Sequence, residues 1–399
     1  MLKYITLIYT LLSSTVFAQS WQQINDFPSS ERDDGISFEI GNTSYSGTGL
    51  TPWFAATNDF YALDMNSNIW SSVSSLPIGA ERQYASGFSS SNAGYVFGGL
   101  NGSTFLNDLW KYDTTFNTWT PQTSLPSVGR NGSSCFVINN IAYIVGGRTS
   151  TNAAIDEVWA YDMISNQWNQ KNNLVLGARW RASATSINNI GYLLFGRDTN
   201  SKFCNELLEY NPVQDSWQQI STFPGIGRDY SALKTINGDL ISVAGLDTFG
   251  TSYNDMWRYE INTSTWSQLN SIPALGRRGG ICFNNATTLY YTTGIDQNNI
   301  RLKETWKYNF ITQLDEKSLS ENIILYPNPA KEYISITLGN SFTKNPLTIS
   351  CYDLMGKEII ATKNISNKFN LDTSTLSKGI YFLKIQSAEN YAIKKFIKQ

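Results

Sequence analysis

The 399-residue chain contains no histidine. That absence removes every nucleophile that needs an imidazole base, so Ser-His and Cys-His hydrolases are excluded. It also removes the usual ligand set of copper and catalytic zinc sites. Charge is sparse as well, at 16% Asp, Glu, Lys and Arg with a formal net charge of −2. No basic stripe of the kind that tracks phosphates is present, and nucleic-acid binding is excluded. Cysteine is scarce: Cys135, Cys204, Cys282 and Cys351 are too widely scattered to form a disulfide framework, and none reads as a nucleophile. No stretch approaches the roughly 20 apolar residues that a membrane-spanning helix needs.

What is abundant is aromatic and turn-forming: 12 Trp, 22 Tyr, 20 Phe and 29 Gly. Many short strands joined by tight turns suit that composition, and an all-β chain is expected. At this length the chain calls for two units or a repeat array. Residues 1–18 read as a secretory leader, with Lys3, an apolar run from Tyr4 to Leu12, and Val16-Phe17-Ala18 before cleavage after Ala18. The chain also divides by charge. All twelve arginines precede residue 322, whereas residues 322–399 carry ten lysines against five acids.

A period of 49 residues organises the first part. Trp21, Trp70, Trp119, Trp168, Trp217 and Trp266 keep that spacing, as do Arg130, Arg179, Arg228 and Arg277, and Gly147, Gly196, Gly245 and Gly294. Within one period an arginine precedes a small and apolar run (Ser133 to Val137), and an Asn139-Asn140 turn leads to Ile141 to Val145. Gly146-Gly147 closes that run, then Glu157-Val158-Trp159-Ala160-Tyr161 follows, and a short turn ends at Trp168. Four runs between turns describe a four-stranded antiparallel sheet. One such sheet cannot bury both faces, so copies must stack radially.

These motifs resemble the kelch family over residues 19 to about 310: an arginine before the first strand, a diglycine ending the second, an acid-x-Trp-x-Tyr third strand and a Trp in the fourth. The first glycine is replaced by Phe195, Ala244 and Thr293, and the first copy is eroded to Thr48-Gly49 and Tyr61. The resemblance implies a β-propeller. Its blade number follows from the ends of the array, because the Trp due at position 315 is Asp315 and Trp21 lies six periods earlier. The segment Ser20 to Ile24 also repeats letter for letter as Ser216 to Ile220. A six-bladed propeller over residues 19–314 is therefore expected, closed by the N-terminal strand, which removes an open sheet edge.

After a polar linker at 315–322, residues 323–399 change vocabulary: Tyr326-Pro327-Asn328-Pro329, Tyr352-Asp353-Leu354-Met355-Gly356-Lys357, Lys378 to Lys384, and a terminal Lys394-Lys395-Phe396-Ile397-Lys398. These stretches resemble the type A sorting domain of the type IX secretion system of Bacteroidetes. That likeness implies a small β-sandwich, the secretion machinery as partner, and passage through the periplasm to the surface or the medium. An immunoglobulin-like adhesion module shares the sandwich architecture and is the alternative.

Within a blade, chain direction puts the arginines and the loops after the glycines on one face. Arg32, Arg82, Arg130, Arg179, Arg228 and Arg277 recur there, and the resemblance carries ligand contact to these six positions. They either hold blade carbonyls together or receive an anion, since like charges near one axis otherwise repel. No adjacent acid accompanies Arg130, Arg179 or Arg277, so that side of the mouth is expected to be positive. Residues that break the beat are the sharper candidates, because scaffold demands explain only periodic ones: Trp180, Arg181, Tyr84, Tyr230 and Arg278. Asp198, Asp247 and Asp296 keep the period, and turn capping accounts for them better than a calcium site. No metal site or cofactor is expected. The leading expectation is a carbohydrate- or protein-binding module. The alternatives are a sugar-acid epimerase or mutarotase using Asp33, Asp34, Asp229 and Tyr230, and a structural surface protein. The absence of histidine rules out the kelch-bearing copper oxidases as a model.

Overall fold

The computed structural model describes residues 20–310, 323–338, 348–353, 358–363, 368–386 and 391–399. The leader expected over 1–18, the linker at 315–322 and residues 354–357 fall outside them. The chain divides into two compact units at Phe310/Ile311.

In the first unit each period folds as an antiparallel sheet. The third period supplies Ser134–Ile138, Ile141–Val145, Val158–Asp162 and Gln167–Lys171, each paired with the next. Asn139 and Asn140 take positive φ, 50° and 64°, which suits a two-residue hairpin whose twist matches the strands. Phe136 stacks on Tyr143 within that sheet and packs against Tyr210 and Trp217 of the next. The aromatic beat therefore fills the wedges between sheets.

The innermost strands, Ile36–Ile40, Ser86–Ser89, Ser134–Ile138, Ser183–Ile187, Ala232–Ile236 and Ile281–Asn284, neighbour one another in a closed circuit. The sheet that contains Thr305–Asn309 takes its outer strand from Trp21–Ile24, with Trp21 opposite Tyr308 and Ile24 opposite Thr305. The Trp21 Nε1 donates to the Asn270 carbonyl at 2.7 Å. Trp119 and Trp168 donate in the same way to Ser74 and Thr123, 45 residues earlier, at 2.7 and 2.8 Å. The N-terminal strand thus makes the sheet-to-sheet bond that its period would have made at position 315.

The eroded diglycine has a conformational explanation. At the first position φ lies near 60° whether the residue is Thr48 (58°), Gly98 (58°), Phe195 (68°), Ala244 (62°) or Thr293 (61°). That left-handed region is costly for a side chain but accessible. At the second position φ reaches 108° at Gly49, 106° at Gly147 and 111° at Gly245, where a Cβ is not accommodated. The amide there also crosses between sheets, with the Gly49, Gly99, Gly147 and Gly196 N–H groups donating to the carbonyls of Arg82, Arg130, Arg179 and Arg228.

The second unit has two antiparallel sheets around one core. Ile323–Tyr326, Tyr333–Leu338 and Lys368–Asp372 form one; Glu358–Lys363, Thr348–Tyr352, Gly379–Gln386 and Tyr391–Lys398 form the other. Ile334, Ile336, Ile349, Cys351, Leu383, Ile385 and Phe396 are buried together between them.

Candidate functional site

The six periodic arginines are buried and paired rather than open at the mouth, which corrects the expectation of a positive side there and favours the alternative in which they brace the sheets. Arg32, Arg82, Arg130, Arg179, Arg228 and Arg277 are all buried. Each pairs with an acid in, or immediately before, the third strand of its own sheet: Asp59, Asp108, Glu157, Glu206, Asp255 and Glu304. In the Arg228 pair two parallel bonds of 2.6 and 2.8 Å join the fork to Asp255, and a third reaches the Ala244 carbonyl at 3.2 Å. In three of the six pairs the acid is also held by the Trp two residues on: Trp110 to Asp108 at 2.7 Å, Trp159 to Glu157 at 2.9 Å and Trp257 to Asp255 at 2.8 Å. Burial works to raise the Glu157 carboxyl, yet its bonds to Arg130, Trp159 and Ser127 outweigh that and hold it below the usual value. The acids lie about half a period downstream of their arginines, and for this reason adjacency in sequence missed them. The side of the mouth at Arg130, Arg179 and Arg277 gains no net charge from these residues. Asp198, Asp247 and Asp296 likewise serve the backbone, each accepting two amides of its own turn through Oδ1.

The residue two places after each arginine forms an axial ring: Asp34, Tyr84, Gly132, Arg181, Tyr230 and Gly279. All six have positive φ, between 54° at Tyr230 and 63° at Gly279. Five of the six amides donate to the preceding member's carbonyl, from Asp34 to Gly279 at 2.7 Å through Tyr230 to Arg181 at 3.3 Å. The backbone is uniform, but the side chains are not. They line a cavity of about 160 Å³ with Ser133, Ser231 and the small residues beside them. Tyr84 and Tyr230 place their hydroxyls 3.4 Å apart. The Arg181 guanidinium lies over both rings, 4.7 and 4.0 Å from their centroids. Burial, and then the charge of Asp33, push the Asp34 carboxyl well above its usual range.

A second ring stands around the first. There each residue after an arginine pairs through its backbone with the residue after the second glycine of the same sheet: Asp33 with Leu50, Gln83 with Leu100, Asn131 with Arg148, Trp180 with Arg197, Asp229 with Leu246 and Arg278 with Ile295. Here the chain gathers its off-beat arginines. Arg148 and Arg181 sit 4.1 and 4.0 Å from the Trp180 ring and Arg197 5.7 Å from it, while Arg197 Nε donates to Asp229 at 2.5 Å. Trp180 is buried within this cluster rather than offered as a free platform. Arg278 stands apart, bonded to Asn299 at 3.1 Å. Asp33 pairs with Arg301 at 2.6 Å. Trp53, Phe54 and Phe249, in the loops after the glycines, are more than three-quarters exposed. Of the residues singled out from the sequence, Trp180, Arg181, Tyr84 and Tyr230 come together. Arg148 and Arg197 complete the group, and their departure from Leu50, Leu100, Leu246 and Ile295 at the same place in the period was the signal that could have found them.

Comparison with known proteins gives two family matches. Residues 15–189 match the KLHDC2/KLHL20/DRC7 Kelch-repeats domain. Residues 324–399 match the Secretion system C-terminal sorting domain. No curated protein sequence matches the chain. Among solved structures, the one titled "Structure of YjhT" is similar with a TM-score of 0.61 and 17% identity over 70% of this chain and 95% of its own, a likeness of fold alone.

Proposed function

Because the chain is a kelch-repeat propeller protein ending in a type IX secretion sorting domain, we propose that it is exported to the cell surface or the medium and works there as a carbohydrate- or protein-binding module. The arginine-side face is the binding surface in this reading. One observation carries it: the backbone of the axial rings is uniform through all six periods, whereas their side chains differ sheet by sheet. A scaffold asks for repeated residues, so side chains that differ from sheet to sheet over a uniform backbone around the axis are what a site for a ligand requires. Exposed Trp53, Phe54 and Phe249 around that end add apolar contact surface. A thermal-shift screen of the protein against neutral sugars, acidic sugars and peptides tests the reading, since a bound ligand raises the melting temperature. Flat melting curves across all three classes would refute it. For export, deletion of residues 323–399 traps the protein in the periplasm, and normal appearance of the truncated chain outside the cell would count against the sorting role.

A second reading, proton transfer on a sugar acid, is favoured by Asp34. A carboxyl whose proton affinity is raised by burial, with Tyr84, Tyr230 and Arg181 beside one cavity, has the parts of a general acid and a carboxylate anchor. Asp34→Asn then abolishes epimerisation or mutarotation followed by NMR, and leaves ligand affinity within a few-fold.

A further inference from the structure

We propose that Arg148, Arg181 and Arg197, gathered around Trp180, form a subsite for the carboxylate group of a small ligand. The proposal rests on the binding reading of this face and names the chemistry it selects.

Charge balance is the first ground. The six periodic arginines each have an acid of their own. The Trp180 cluster has three guanidiniums and one contacting carboxylate, Asp229, which is 2.5 Å from Arg197 Nε and 3.9 Å from Arg181. Among the described residues no carboxylate pairs with Arg148. Its guanidinium is held by an aromatic face alone, 4.1 Å from the Trp180 centroid. Unbalanced like charges around one indole repel, and an anion is what relieves them. Burial, and then the charge of Arg181, push the Arg148 guanidinium below its usual value, which agrees with a cation short of a partner.

Unmet hydrogen bonding is the second ground. The Nε atoms of Arg148 and Arg181 are buried without an acceptor. So are both side-chain polar atoms of Asn131, a residue only 1% exposed whose backbone pairs with Arg148 at 3.0 and 2.9 Å. A native protein rarely leaves several buried donors idle in one place unless something outside the chain uses them. The guanidinium fork fits a planar carboxylate with two parallel bonds, and the indole face fixes the plane in which the fork lies.

Size and position supply the third. Arg181 also walls the 160 Å³ axial cavity, narrowed by Asp34, Tyr84 and Tyr230. That volume takes a carboxylate and a few attached carbons, not a folded segment. Scaffold needs do not account for the arrangement, because the places of Arg148 and Arg181 are filled in other periods by Leu50, Leu100, Leu246 and Ile295, and by Asp34, Gly132 and Gly279.

Isothermal titration of the full chain with sodium glutarate, sodium glucuronate, glucose and inorganic phosphate tests this. The two carboxylates are expected to bind, with affinity falling as salt rises, and glucose is not. Arg148→Gln is the informative variant, since it leaves no carboxylate unpaired and the fold should persist, as a melting curve verifies. It weakens carboxylate binding at least tenfold, whereas Arg258→Gln, distant on a third strand, does not. Equal affinity in Arg148→Gln and the parent overturns the proposal, as does phosphate bound as tightly as glutarate. If no carboxylate binds but a neutral sugar or peptide does, and Trp53→Ala abolishes that, the subsite fails while the binding reading stands. If nothing binds, both fail.

Discussion

Replacing Asp255 by alanine is the sharpest test of what the periodic arginines do. Arg228 and Asp255 have side chains only 4% and 12% exposed and share two charge-assisted bonds of 2.6 and 2.8 Å. The guanidinium also lies 3.9 Å from the Tyr253 centroid and 5.0 Å from that of Phe223, which shield it from water. Asp255→Ala strands this buried cation, a change that costs about 3–5 kcal/mol. Trp257 Nε1 loses its acceptor at the same time, adding about 1 kcal/mol. For a unit of this size the total lowers Tm by roughly 6–10 °C. Urea unfolding followed by tryptophan fluorescence measures it directly. The double variant Arg228→Met/Asp255→Leu removes both charges and recovers most of the loss, because a buried ion pair and a matched apolar pair differ little in net stability. Were Arg228 a solvated ligand contact, Asp255→Ala would cost no more than about 1 kcal/mol, as exposed pairs do. A loss that small refutes the scaffold assignment.

Four further outcomes follow from the geometry. At Gly294, φ is 100° and a Cβ would stand 3.0 Å from the Arg278 carbonyl, so Gly294→Ala costs about 1–3 kcal/mol in denaturant unfolding. Thr293→Gly at φ 61° relieves a β-branched residue whose buried hydroxyl is unpaired and gains about 1 kcal/mol; a loss there would contradict the strain argument. Asp34 holds its proton in the folded state above the ordinary value of 3.8, where the unfolded chain has released it, so the stability this group supplies is full below that pH and declines as pH rises. Asp34→Asn removes the decline, and melting curves of parent and variant that stay parallel from pH 4 to 8 would exclude it. Trp21→Ala removes a buried ring and its bond to Asn270, costs about 3–5 kcal/mol, and loosens the sheet that the N-terminus completes, read as faster amide exchange in Thr305–Asn309.

The architecture was legible because a repeat prints each structural demand six times. Asp315, where a Trp is due, and Trp21 six periods earlier point to an N-terminal closing strand, and Trp21 stands opposite Tyr308 in the sheet. The invariance of the second glycine was visible too, and its φ near 100° with an amide crossing between sheets gives the reason. The candidate site was half legible. Trp180, Arg181 and Tyr230 stood out because they broke the beat; Arg181 and Tyr230 share the axial ring, and Trp180 stands beside Arg181 in the ring around it.

The linear chain therefore determined the period, the closing strand and which places depart from the repeat. Burial and partnership were decided only by tertiary structure. Arg130 and Glu157 are 27 residues apart and become neighbours only when the third strand folds beside the first, which turns a suspected anion receptor into an interior brace. Arg148, Arg181 and Arg197 belong to two successive sheets and become one cluster only when those sheets stand side by side around the axis. Charge on a sequence says nothing of what faces it, because the dielectric surroundings and the counter-ion of a side chain are properties of the packed ring.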